Sequence, residues 1–174
     1  MILYLDMDGV IANWYDAFAK HNGVDHWTKV PNKDKAVFEL KSTDFFNTID
    51  LYPSTKKLVS AVKQIAGDDY GICSSPLTED QHNSSYWKRV WLERHGFMPI
   101  IPNLIFTRNK EKYAVDRIDG SPNILVDDKI NNVSQWSAAG GIGIHYFADK
   151  DNVDDLITAF YACLGGEPGE KRDW

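Results

Sequence analysis

Short, unbroken apolar runs punctuate this chain at residues 2–5 (Ile-Leu-Tyr-Leu), 70–73, 104–107, 124–126 and 142–145. A run without polar alternation reads as a strand covered on both faces. Between the runs lie segments long enough for a crossover helix, which only parallel strands need. Residues 54–66 place Leu58, Val59, Val62 and Ile65 at helical spacing. Residues 11–21 read as a helix with Trp14, Tyr15 and Phe18 on one side, 79–95 as a long helix ended by Gly96, and 152–164 as a closing helix. The expected architecture is α/β: a Rossmann-like, mainly parallel sheet with helices on both faces.

Residues 22–53 interrupt this alternation. They are polar, rich in Lys and Asp, and carry scattered aromatics (Trp27, Phe38, Phe45, Phe46, Tyr52). They are expected to form a small helical cap, leaving 1–21 and 54–164 as the core domain and 165–174 as a Gly-rich tail. Open parallel sheets bind ligands beyond the carboxyl ends of their strands, so chemistry is expected directly after each apolar run.

Four runs end in polar residues suited to it. The first ends Asp6-Met7-Asp8-Gly9, the second Ser74-Ser75-Pro76, the third Arg108-Asn109-Lys110 and the fourth Asp127-Asp128. Residues two apart on a strand share a face, so Asp6 and Asp8 bring like charges together, a costly arrangement without a cation between them. Hydroxyls at a strand end can donate to phosphate oxygens alongside backbone N–H groups. Paired acids suit a hard cation such as Mg²⁺. Each ending also has a plain explanation: a surface turn for Asp6 to Gly9, a helix cap for the serines or the acid pair, a solvated loop charge for Lys110. Their conjunction at four strand ends favours a single site.

The net charge of −6 over 174 residues speaks against a duplex nucleic-acid or anionic membrane surface. A small anionic substrate stays compatible, because a divalent cation can supply local positive charge. Cys73 and Cys163 have no metal-ligand spacing and read as buried packing residues in a reducing compartment. With no leader-like start and no apolar run of membrane-spanning length, the expected location is cytoplasmic.

The stretches Asp6-Met7-Asp8-Gly9-Val10-Ile11-Ala12, Ile72-Cys73-Ser74-Ser75-Pro76, Thr107-Arg108-Asn109-Lys110 and Leu125-Val126-Asp127-Asp128 resemble the four motifs of the haloacid dehalogenase superfamily. Within it they resemble in particular the 5′(3′)-deoxyribonucleotidases. That family's pattern has Thr at Ser74, Asp at Asn109 and Arg at Lys129. The resemblance implies a phosphatase in which Asp6 attacks phosphorus and Asp8 serves as acid and then base. Ser74, Ser75 and Lys110 would hold the phosphate. Mg²⁺ would bind Asp6, the Asp8 carbonyl and the Asp127–Asp128 pair, with the direct ligand of the pair left open. An acid at Asp8 suits an alkoxide leaving group rather than a halide, favouring phosphatase over dehalogenase.

By the same resemblance the substrate is a small nucleotide, its base held by cap-side aromatics. Trp14, Phe45 and Phe46 are the candidates, with Tyr52 behind them, unless these rings only form the cap's own core. Lys88 is a candidate second phosphate-side cation, although its charge-rich helix favours a solvated face. A homodimer is left open. Two other functions compete: a 3′-phosphatase acting on nucleic-acid ends, and a catalytically silent binding or regulatory module.

Overall fold

The computed structural model describes residues 1–164; the expected tail, 165–174, lies outside the described residues. Five strands, β1 (Leu3–Leu5), β2 (Tyr70–Ser74), β3 (Leu104–Phe106), β4 (Ile124–Asp127) and β5 (Ile142–His145), form one sheet in the order β3-β2-β1-β4-β5. Every pairing is parallel. The helices are α1 (Trp14–His21), α2 (Lys33–Glu39), α3 (Thr55–Ala66), α4 (Gln81–His95), α5 (Ile130–Ala138) and α6 (Val153–Leu164).

Alternation along the strands divides the interior in two. Leu3, Leu5, Ile72, Ile124 and Val126 join the main core with Phe18 of α1, Leu58 and Val62 of α3, Trp91 and Leu92 of α4, and Phe160 of α6. Tyr4, Cys73 and Leu125 point the other way, against Trp136 of α5 and Ala114. The central strands β1, β2 and β4 are buried throughout, as their apolar runs require. Cys73 is buried, whereas Cys163 is only half-buried at the margin of the main core. Among the described residues no helix is long and apolar enough to cross a membrane.

The segment 22–53 adds no strand to the sheet. It contains α2 and two short helical turns, Trp27–Lys29 and Phe45–Asn47. Its apolar residues Val30, Ala36, Leu40, Phe45, Phe46 and Ile49 belong to the same core as the sheet. The buried Trp91 indole donates to the Ile49 carbonyl at 2.7 Å, tying the segment to α4. The first helix begins at Trp14 rather than at residue 11. The N–H groups of Val10, Ile11 and Ala12 all converge on the Met7 carbonyl, making a tight buried turn, and Asn13 then caps α1.

Gly71 makes a close contact in the second layer. A Cβ there would lie 2.6 Å from the Tyr4 ring, which itself packs edge-on against Trp136 at 5.8 Å. Overpacking of this kind costs roughly 1–3 kcal/mol. Gly71→Ala is therefore expected to lower the denaturant midpoint, and adding Tyr4→Leu should recover part of the loss. Equal stability of Gly71→Ala and the parent in urea titrations would show that the contact imposes no constraint.

Candidate active site

Chain direction across the sheet reverses between β1 and β4, and the carboxyl ends of these neighbours hold Asp6 and Asp127. The Asp6 N–H donates to the Val126 carbonyl at 2.9 Å, continuing the ladder one step beyond β1. Lys110, on the helical turn Lys110–Tyr113 after β3, is buried between the two acids. Its Nζ lies 2.6 Å from Asp127 Oδ2 and 3.1 Å from Asp6 Oδ1. Burial opposes the charge on Lys110, but Asp6 and Asp127 outweigh it and raise the ammonium above its ordinary range. Burial also works against an ionised Asp6; Lys110, with Lys88 and Lys129, holds it below the usual carboxylate value all the same.

The adjacent acids Asp127 and Asp128 have different surroundings. Asp127 Oδ1 accepts from the Lys129 N–H (2.8 Å) and Asn132 Nδ2 (3.0 Å), while Oδ2 accepts from Lys110 and from Asn132 at 2.9 Å. Asp128 Oδ2 accepts from the Tyr15 hydroxyl at 2.5 Å, but its Oδ1 is buried without a partner. Burial, with the Asp6 charge beside it, pushes Asp128 up to about 7. Asp6, Asp127 and Asp128 each turn one oxygen to within 4.8 Å of the others. This all-oxygen set, with the orphaned Asp128 Oδ1, fits a hard cation such as Mg²⁺. Because Asp127 is already engaged by lysine and amide donors, Asp128 is the acid of the pair with an oxygen to offer. Gly9 makes room for it. Its φ of +80° suits glycine, and a Cβ there would lie 2.6 Å from the Asp128 carboxyl carbon.

Lys88 corrects the solvated-face expectation. It is fully buried, its Nζ 2.8 Å from Asp8 Oδ2, 2.8 Å from Ser74 Oγ and 2.9 Å from the Ser75 carbonyl. The Phe46 ring lies over it at 4.8 Å. The signal was present in the sequence: Ser84, Lys88, Trp91 and Leu92 follow helical spacing and form the buried stripe of α4. Asp8 Oδ1, like Asp128 Oδ1, has no partner. Of the two serines, Ser75 faces the cleft above the site and Ser74 is buried beneath it.

That cleft, of about 820 Å³, has Asp6, Asp8 and Asp128 among its lining residues, and Trp14 and Phe46 are among its aromatics. Phe45 does not line it. Its buried ring packs edge-on against Trp14 at 6.3 Å and Phe46 at 5.6 Å, so it supports the wall from behind. Tyr52 is likewise buried away from the cleft. Sequence reasoning overlooked Tyr15, Trp27 and Phe38 as lining residues, and the cations Lys41 and Arg108. Tyr15 and Trp27 meet at 5.0 Å, a contact between α1 and the segment 22–53 that no local pattern announces.

No protein-family model matches the chain. The mouse mitochondrial 5′(3′)-deoxyribonucleotidase is 28% identical over 96 residues, which are 55% of this chain and 40% of that protein. A Bordetella pertussis protein, provisionally named a 5′(3′)-deoxyribonucleotidase, is 28% identical over 152 residues, covering 74% of each chain. A Streptococcus pneumoniae hydrolase shares the fold with a TM-score of 0.54 at 11% identity, over 91% of this chain and 96% of its own. A subfamily IA hydrolase of the haloacid dehalogenase superfamily from Geobacter sulfurreducens aligns with a TM-score of 0.50, also at 11% identity, over 83% of this chain and 88% of its own. The chain shares its fold with hydrolases of the haloacid dehalogenase type, and its strand-end carboxylates lie where that fold carries its chemistry. In sequence it is similar to proteins named 5′(3′)-deoxyribonucleotidases.

The raised Asp128 predicts a pH-dependent stability. Between about pH 4, where an ordinary Asp titrates, and about pH 7 the folded protein keeps a proton that the unfolded chain has lost. Rising pH across that window therefore destabilises the metal-free fold. Asp128→Asn is expected to raise the Tm of metal-free protein at pH 8 by roughly 2–8 °C, from about 1–2 kcal/mol, with little effect near pH 4. An unchanged Tm at pH 8 would refute this account of the carboxyl.

Proposed function

We propose that this chain is a Mg²⁺-dependent nucleotidase, removing phosphate from nucleoside monophosphates, deoxyribonucleotides foremost, through an aspartyl-phosphate on Asp6. The observation that carries the reading is Asp6 itself. It is held ionised against Lys110 at the floor of a cleft whose walls include Trp14 and Phe46.

In this reading a carboxylate oxygen of Asp6 attacks phosphorus, and the ester P–O bond breaks with its electron pair on the nucleoside oxygen. Asp8 gives that oxygen a proton. The Asp8 carboxyl is suited to the task because Lys88 anchors Oδ2 while Oδ1 has no competing partner. Asp8 then takes a proton from water, whose oxygen attacks the phosphorus. The bond from phosphorus to Asp6 breaks, releasing inorganic phosphate and restoring the carboxylate. Ser75 lines the cleft as a phosphate donor, and Lys110 offsets the charge on Asp6. Asp6, the Asp8 carbonyl and Asp128 would hold Mg²⁺, which supplies the positive charge that lets an anionic nucleophile meet an anionic phosphate.

Phosphate release from a panel of nucleotides and 3′-phosphorylated oligonucleotides tests the reading. Turnover is expected with nucleoside monophosphates, to be abolished by EDTA and restored by Mg²⁺. Asp6→Asn should lower kcat to background while circular dichroism stays native. Turnover in excess chelator, or a rate in Asp6→Asn near that of the parent, would sink the mechanism.

Trp14 offers the test of base binding. It is half-buried, stacked on Phe18 at 4.6 Å and open to the cleft, whereas Phe46 is 3% exposed and its truncation would disturb the core. Stacking of a base on an aromatic ring is worth roughly 1–3 kcal/mol. Trp14→Ala is therefore expected to reduce kcat/KM for nucleotides about tenfold to a hundredfold and to leave p-nitrophenyl phosphate nearly unaffected. An equal fall for both substrates would assign Trp14 to packing alone.

A further inference from the structure

Tyr15 stands out because nothing in the strand-end motifs requires it, yet it makes the one side-chain hydrogen bond to the Asp128 carboxylate among the described residues. The bond is short, 2.5 Å, and it engages Oδ2 only, leaving Oδ1 buried without a partner. Two further contacts hold this residue, one at its carboxyl and one at its backbone. Gly9 packs against its carbon so closely that a Cβ could not fit, and His145 Nε2 lies 2.9 Å from the Asp128 carbonyl.

Tyr15 is itself fixed. Its ring meets Trp14 at 5.4 Å and Phe147 at 5.1 Å, both edge-on, and Trp27 at 5.0 Å. These partners come from α1, the loop after β5 and the segment 22–53, so the hydroxyl is held from three directions. A phenol donor suits this position. It orients the carboxylate without adding a charge that would compete with a cation.

We infer that Tyr15 is a positioning residue for the metal site: its hydroxyl occupies Asp128 Oδ2 and so presents Oδ1 alone to the cation. The inference rests on the metal-dependent reading above. It adds a residue of the cleft wall whose hydroxyl is committed to Asp128, and it connects that aromatic wall to the acid that would bind Mg²⁺. Outer partners of ligating carboxylates commonly change metal affinity by about tenfold to a hundredfold when removed.

The test is Tyr15→Phe, which keeps the ring and its packing and deletes only the donor. Mg²⁺ affinity would be measured by calorimetry, and Mn²⁺ binding by electron paramagnetic resonance, on the parent and on this variant. The expected result is a Kd for either ion weaker by about tenfold to a hundredfold, with native circular dichroism. The Mg²⁺ concentration that half-activates turnover should rise to match, while KM for substrate at saturating Mg²⁺ stays within about twofold. Metal affinity equal to the parent's would overturn the inference, as would a KM change with no change in metal affinity. If the parent itself binds neither ion, the metal-dependent reading fails, a result distinct from a parent that binds and a Tyr15→Phe variant that binds equally well.

Discussion

The buried contact of Lys110 with Asp6 and Asp127 is the interaction on which the carboxyl edge of this sheet depends. Two carboxylates at the ends of adjacent strands would repel, and each would lose hydration on burial. A single ammonium, delivered by the turn after β3, compensates both. Deleting one member of a buried ionic group costs roughly 3–5 kcal/mol, because its partners stay behind uncompensated. The same contact keeps Asp6 ionised, the state that the proposed attack on phosphorus requires.

Around that centre the polar side chains fall into two sets. Asp127, Ser74, Lys88 and Lys110 are engaged with one another or with backbone and are buried. Asp8 and Asp128 each keep one oxygen without a partner. The first set holds shape, and in the proposed function the free oxygens of the second serve proton transfer at Asp8 and the cation at Asp128. Relief of the buried charge on Asp128 by a cation would turn a destabilising group into a binding one, an economy open to sites whose ligand carries positive charge.

The segment 22–53 reads in sequence as a small helical cap; its apolar residues join the main core, and Trp91 bonds to its backbone. The cleft is therefore bounded by residues of a continuous packed body. Its aromatic wall is two-layered, with Trp14 and Phe46 lining the cleft and the buried Phe45 behind them. The family resemblance nominated all three rings, but which of them faces the cleft follows from how α1 and the turn Phe45–Asn47 pack together. Lys88 shows the opposite case. Its place in the buried stripe of α4 was legible from spacing, and the surrounding charges obscured it.

The sequence by itself determined the parallel sheet and the positions of Asp6, Asp8, Ser74, Ser75, Lys110, Asp127 and Asp128 at or just beyond the carboxyl ends of its strands. It could do so because strand burial and strand ends are local properties, written in runs of a few apolar residues and the polar residues that stop them. Only the folded arrangement separated Asp127 from Asp128, brought Lys88 to Asp8, and set the Tyr15 hydroxyl against the Asp128 carboxylate. Those assignments depend on which lone pairs are already taken, and the donors come from 17, 80 and 113 residues away along the chain. No pattern within a window of sequence carries that information, because it exists only once the strands and helices have closed around the site.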